Sequence, residues 1–454
     1  MFGSAFTKSG SKDFKSSNNK SKQKTSNAIR IQDLAKDSRV KKGQGLRTVY
    51  LVNKKMATFG KLNITEKPII DESIEKDEYH EYPPKITNFD NPGTEISMTI
   101  NEENLIVNPC KTFILIEGRL LKADRTSYAN ADAATLIHNG LMYLFTRAEY
   151  LLSGQTVENI INLGRATTML GLLKYPIKFD EEKEPNTKGK FSFCVPLKYI
   201  FGFCDVYDKA LYGLTHTLTL IRESDNNAIF RAAGTAAGQV NLTKVSLFMP
   251  HVKPHLEYEL KLNKEIESKV PLSLSYAERR SESITVPQTT DFTWTLNITS
   301  SSTRPRYIIV GFQTNKNNNQ EQNPTIFDHC DLKNMYVKPN SRSYPEIVYY
   351  NLSFPDQQFT RAYNDVAQFN EKFYEMSELI SQCNISTRDY KPLYSLFVYD
   401  VSKQKQISKP SIINIQVIAT FSTPVLANTM AYAVIISDRL GQLISDESKL
   451  QYIY

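Results

Sequence analysis

From about residue 85 onward the apolar positions recur mainly with a period of two. Ile96, Met98 and Ile100 alternate with polar neighbours, and 112–116 is a run of β-branched and aromatic residues. This spacing predicts short strands with one buried face. The stretches 141–145 and 150–152 read as strands flanking a polar Thr146-Arg147 turn. Further strand-like runs cover 191–195, 214–221, 240–249, 283–286, 292–298, 307–312, 335–337, 347–352 and 394–401. Residues 410–437 carry no charge, long enough to raise the question of a membrane span. Yet Ile413, Ile415, Val417, Ala419 and Phe421 alternate with more polar neighbours up to a break at Pro424. Beyond it, 430–436 is apolar on both faces, so two buried strands are expected and no transmembrane segment.

Two stretches have helical spacing. Thr156 is placed to cap a helix carrying Val157, Ile160, Ile161 and Gly164 and ending near Gly171. Phe359, Tyr363, Val366, Phe369, Phe373 and Met376 form a sustained 3–4 stripe. The two lie about half a chain apart, each amid a set of strands, which suggests two similar β-domains in tandem, each with an inserted helix. The expected division is a basic arm over 1–48, an acidic linker over 49–84, and β-domains over 85–265 and 266–454.

Charge sharpens the first of these boundaries. The 454-residue chain holds 55 Lys/Arg and 48 Asp/Glu, and residues 1–48 hold twelve of the former against three of the latter, a local net of +9. The remainder is close to neutral. Ser, Lys and Asn fill thirteen of the seventeen positions of 11–27, a composition expected to stay disordered alone. It has no apolar core of a signal peptide. Lysines without interleaved aromatics suit non-specific phosphate contact, solubilisation, or an import address around Lys41-Lys42. The candidates for contact with nucleic acid or an inner shell are Lys12, Lys15, Lys20, Lys22, Lys24, Arg30, Lys41 and Lys42. Asp71, Glu72, Glu75, Asp77, Glu78 and Glu81 then mark the acidic stretch, expected to be solvated.

Reactive constellations are missing from the sequence. Five scattered cysteines without CxxC spacing argue against a disulfide framework or zinc knuckle. His251 and His255 are separated by Pro254, and His329-Cys330 between Asp328 and Asp331 lacks a nearby second ligand pair. There is no GxSxG elbow, P-loop or GxGxxG. Neither an enzyme nor a cofactor is expected. A structural or binding role is.

The second half carries a family resemblance. Residues 305–312 (PRYIIVGF), 327–337 (FDHCDLKNMYV), 386–390 (STRDY) and 394–401 (YSLFVYDV), followed by the uncharged strand pair, resemble in order and spacing the C-terminal part of the double jelly-roll major capsid proteins of Polinton/Maverick elements and adintoviruses, an adenovirus-like lineage. In the first half, 136–141 through Ser153-Gly154 is similar to that family's strand pair before its inserted helix, and 245–249 to the strand closing its first jelly roll.

The resemblance implies an all-β fold of two tandem eight-stranded jelly-roll sandwiches, each with a short inserted helix, behind a disordered basic arm. It implies a major capsid protein whose homotrimers form pseudo-hexameric capsomers tiling an icosahedral shell around a double-stranded DNA genome. Partners would be further copies of itself, penton and minor capsid proteins, and DNA through the arm. The location would be the virion, after synthesis in the host cytoplasm and with assembly open to the nucleus. Loops such as 174–190 and 313–324 are short, which implies modest surface protrusions. The alternatives are a jelly-roll binding module of lectin or receptor-binding type, a β-sandwich enzyme with a site near His329 and Asp331, and a minor capsid component.

Overall fold

A computed structural model describes residues 73–102, 105–175, 189–269, 271–297, 304–340, 342–345, 350–375, 385–403, 414–446 and 449–453. The basic arm, with all eight of its candidate contact residues, lies outside these. In the first half, the principal elements are β1 (Ile74–Tyr82), β2 (Glu95–Ile100), β3 (Phe113–Lys122), β4 (Phe145–Leu152), β5 (Gln155–Ile161), α1 (Leu163–Lys174), β6 (Lys190–Pro196), β7 (His216–Arg222), β8 (Gly238–Pro254) and α2 (Leu256–Glu267). They form two antiparallel sheets. One runs β1-β8-β3-β6 and the other β2-β7-β4-β5. Apart from the β4-β5 hairpin, strands adjacent in each sheet are far apart in sequence, the mark of a jelly roll.

The second half holds β9 (Leu272–Thr285), β10 (Asp291–Asn297), β11 (Arg304–Thr314), β12 (Leu332–Pro339), α3 (Thr360–Ala367), α4 (Phe369–Tyr374), β13 (Leu396–Asp400), β14 (Asn414–Phe421) and β15 (Thr429–Asp446). Its sheets run β9-β15-β11-β13 and β10-β14-β12. Matched in chain order, this is the arrangement of the first half, with one position lacking a strand among the described residues. In the first half that position belongs to β5. Here Tyr344 makes a single antiparallel bridge to Val337 on the same edge of β12. Two sandwiches with one topology, 48% strand against 19% helix among the described residues, make the chain a mostly β double jelly roll.

The period-two reading holds where one face is buried. In β14 the buried positions are Ile415, Val417, Ala419 and Phe421, and in β7 they include Leu218 and Leu220. Residues 431–436 of β15 are buried on both faces, because one side fills its own sandwich while Tyr432 lies under Arg165 of α1, from the other sandwich. Arg222 is buried and donates to the carbonyls of Phe89, Leu144 and Val240 while pairing with Asp225, tying both sheets of the first sandwich.

Several expectations are corrected. The acidic stretch is not a solvated linker over its whole length, since Ile74–Tyr82 forms β1, paired antiparallel with β8 from Pro254 to Leu247 with one register shift between Ile74 and Lys76. The helix expected from Thr156 is instead strand β5, and α1 begins only at Leu163. Thr146 and Arg147 lie inside β4. The turn is Ser153-Gly154, both at positive φ, and Met142–Leu144 is a single 3₁₀ turn. In the second stripe α3 and α4 carry Tyr363, Val366, Phe369 and Phe373, while Met376 falls outside the described residues. Of the expected strand over 347–352, residues 350–352 are not in a strand and the rest lie largely outside the described residues.

Candidate assembly surfaces

The chemistry of this chain concentrates at the joint between the two sandwiches. Helix α1 is buried on every side from Leu163 to Leu173, which explains its weak amphipathic signal. Arg165 crosses the joint. Its Nε donates to Gln313 Oε1 at 3.1 Å, an Nη2 donates to Asn317 Oδ1 at 2.9 Å, and its guanidinium lies 4.8 Å from the Tyr432 ring centroid. Tyr143 donates its hydroxyl to Pro324 O at 2.8 Å. The segment after β11, expected as a surface protrusion, is therefore folded into the joint. There Gln320 brackets Gly238, accepting its N–H and donating to its carbonyl, both at 2.8 Å.

A second cluster lies where β5 meets β9. Glu158 is fully buried, yet it accepts the backbone N–H groups of Gly202 (3.0 Å), Phe203 (3.0 Å) and Arg279 (2.7 Å). Burial pushes its pKa up to about 7, while Arg279 and the three N–H donors pull it down. Arg279 of β9 donates to the carbonyls of Lys198, Tyr199 and Ile200, and to Asp205 Oδ2 at 2.6 Å. Asp205 also accepts from Lys174 at 2.5 Å and from the Tyr374 hydroxyl at 2.9 Å. One carboxylate thus gathers α1, α4, β9 and the helical turn Gly202–Val206. Gly202 permits the approach, as a Cβ there would sit 1.9 Å from Ala277 O. Buried charges held by several donors cost stability to assemble, but losing one partner strands the others. Such a joint fixes a single mutual placement of the two sandwiches.

Outward surfaces differ in character. Among the described residues strand β1 pairs only with β8, and Ile74–Glu81 is exposed. Leu256 and Leu260, one turn apart on α2, are also exposed. Of the residues weighed for metal or catalysis, His329 and Asp331 meet, with Nδ1 and Oδ1 3.2 Å apart. His329 accepts the Asp331 N–H at 3.0 Å and stacks on Phe354, while the Cys330 thiol is pushed by burial up to about 12. His251 lies on β8 and His255 precedes α2. Among the described residues no group of three His, Cys, Asp or Glu side chains is arranged to hold a metal. No described helix is long and apolar enough to cross a membrane. Sequence reasoning missed Glu158, Arg279, Asp205 and Arg165; Asp205 and Arg165 stand in largely apolar runs, a weak signal, whereas Arg279 lies in the charged stretch Glu278–Glu282 and gives none.

Comparison with known proteins agrees with the topology. No curated protein matches the chain. A chain of the Sputnik virophage structure superposes with a TM-score of 0.57 at 10% identity, covering 86% of this chain and 91% of that one. The PBCV-1 protein VP54 gives 0.54 at 12% identity, with 86% and 99% covered, and the Faustovirus major capsid protein gives 0.51 at 9%, with 84% and 93% covered. At these identities the likeness is one of fold. The double jelly roll-like domain matches residues 135–441, more than half of the sequence, from ahead of β4 in the first sandwich into β15 of the second, and the chain therefore belongs to that family.

Proposed function

We propose that this chain is a major capsid protein, a structural subunit rather than an enzyme. The observation that carries the reading is the buried joint, which makes two like sandwiches one rigid body. Three such bodies around a three-fold axis place six sandwiches in a ring, and heterologous contacts close it. Within the chain, the β5 edge of the first sandwich meets β9, the first strand of the second. The topologically equivalent first strand of the other sandwich is β1, which is exposed along its length. In the ring, β1 meets the matching edge of the next copy's second sandwich, so one kind of joint recurs within and between chains. The pseudo-hexagonal capsomers then tile an icosahedral shell, with penton and minor capsid proteins at its special positions. The sequence resemblance supports the Polinton/Maverick and adintovirus lineage and a double-stranded DNA genome. The basic arm, including Lys12, Lys15, Lys20, Lys22, Lys24, Arg30, Lys41 and Lys42, contacts packaged DNA or the inner shell.

The test is assembly of the purified full chain, followed by negative-stain imaging over a range of salt and concentration. Closed shells or hexagonal capsomers support the reading. A chain that stays monomeric with co-expressed minor proteins present contradicts it. Deleting 1–48 should leave capsomers intact and release nucleic acid. Unchanged retention would remove the arm's role.

A further inference from the structure

Strand β1 is held to its sandwich through an unusual contact. His80 of β1 and His251 of β8 are diagonal cross-strand neighbours, and their imidazoles stack with centroids 3.7 Å apart and planes 9° from parallel. His251 Nε2 lies 2.6 Å from the Tyr82 hydroxyl, which reaches Glu102 at 3.1 Å. The same face carries Lys76 paired with Glu78 on β1, and Lys253 at the end of β8. From the short strand across β8, the residue opposite His251 is the apolar Val107. On the opposite face Asp77 pairs with Lys111 and Glu81 with Lys244.

We propose that His80 and His251 form an acid-sensitive latch for β1. Two neutral rings stack favourably. Two imidazolium rings at the same separation repel, and Glu102, the carboxylate linked to them through Tyr82, is placed to balance one positive charge but not two. Burial and the neighbouring His80 both hold the His251 pKa below its usual value. The sign follows: attachment is complete above the ordinary histidine range and weakens as pH falls through it. Unit charges about 4 Å apart shift an equilibrium by roughly fivefold in bulk water and by about a thousandfold where screening is that of a protein surface. Among the described residues only one edge of β1 is paired, so once the rings part it is held by that ladder and by side-chain contacts to Lys111 and Phe113. The consequence for a shell, namely capsomers loosened in an acidified compartment, rests on the capsid reading. The latch itself does not.

Hydrogen exchange of the unassembled full chain tests it, with β1 amides compared at pH 7.5 and 5.0 after correction for intrinsic exchange. Protection in β1 should fall at least about fivefold more than in the β9–β15 pair. His80→Phe keeps an aromatic ring on His251 but removes one titrating group, and should abolish most of that selective loss. His251→Gln, which leaves no ring to stack, should lower β1 protection at both pH values. A β1 whose protection does not change selectively with pH, or a His80→Phe chain that loses protection as the native chain does, overturns the latch. If exchange behaves as expected but no capsomers form under any condition, the capsid reading fails and the latch stands.

Discussion

Removing the Arg279 side chain should do more damage than any surface change, and the joint explains why. In Arg279→Ala, the carbonyls of Lys198, Tyr199 and Ile200 lose their donor and Asp205 loses one of its two cations. Glu158 keeps its three backbone donors but loses the nearest compensating charge. Breaking a buried charge pair by deleting one partner costs about 3–5 kcal/mol. For sandwiches of this size, each kcal/mol corresponds to ~2–4 °C, so a Tm loss of about 6–20 °C is expected. Because Arg279 bridges the two sandwiches, calorimetry should show one transition for the native chain and two for the variant. Arg279→Lys should recover only part of the loss, since one ammonium cannot span three carbonyls and a carboxylate. A loss under about 1 kcal/mol with one transition retained would refute the claim that this cluster fixes the joint.

Other consequences can be checked with the same preparations. Gly202→Val forces a branched side chain against Ala277 O and should cost at least about 1–3 kcal/mol by chemical denaturation, with earlier proteolytic cleavage around α2. Tyr143→Phe removes the bond to Pro324 O and should cost about 1 kcal/mol without changing assembly. His216 is fully buried beside the Tyr150 hydroxyl, and burial pushes its pKa down to about 3. It stays neutral when folded and takes up a proton only on unfolding. Its share of stability is therefore full above pH 6.5 and is lost at ~1.4 kcal/mol per pH unit as pH falls toward 3. His216→Gln should flatten that slope in urea melts between pH 7 and 5, and an unchanged slope would show that this histidine is protonated in the folded chain.

The sheets were legible in the sequence because a sandwich strand with one buried face writes its burial as alternation. Strand β1 was illegible for the same reason inverted. Its side chains are almost all exposed, so IEKDEYHEY reads as a charged linker, and only pairing with β8 makes it a strand. The shift of α1 arose at Val157, Ile160 and Ile161, which satisfy a helical spacing and a strand equally. What decides between them is tertiary. Asn162 takes a left-handed conformation that separates strand from helix, and Glu158 points into a nest of backbone N–H groups. The joint could not be read at all. Glu158 and the Arg279 N–H it accepts are 121 residues apart, and Arg165 and Gln313 are 148 apart. In isolation Arg279, within the charged stretch Glu278–Glu282, looks like solvated surface.

The most direct test of the account is the native mass of the purified full chain, by light scattering coupled to size exclusion. The account predicts a species of three 51.8 kDa chains, with six lobes around a three-fold axis in projection. A stable monomer or two-fold dimer at all concentrations, with β1 still exposed, would contradict it.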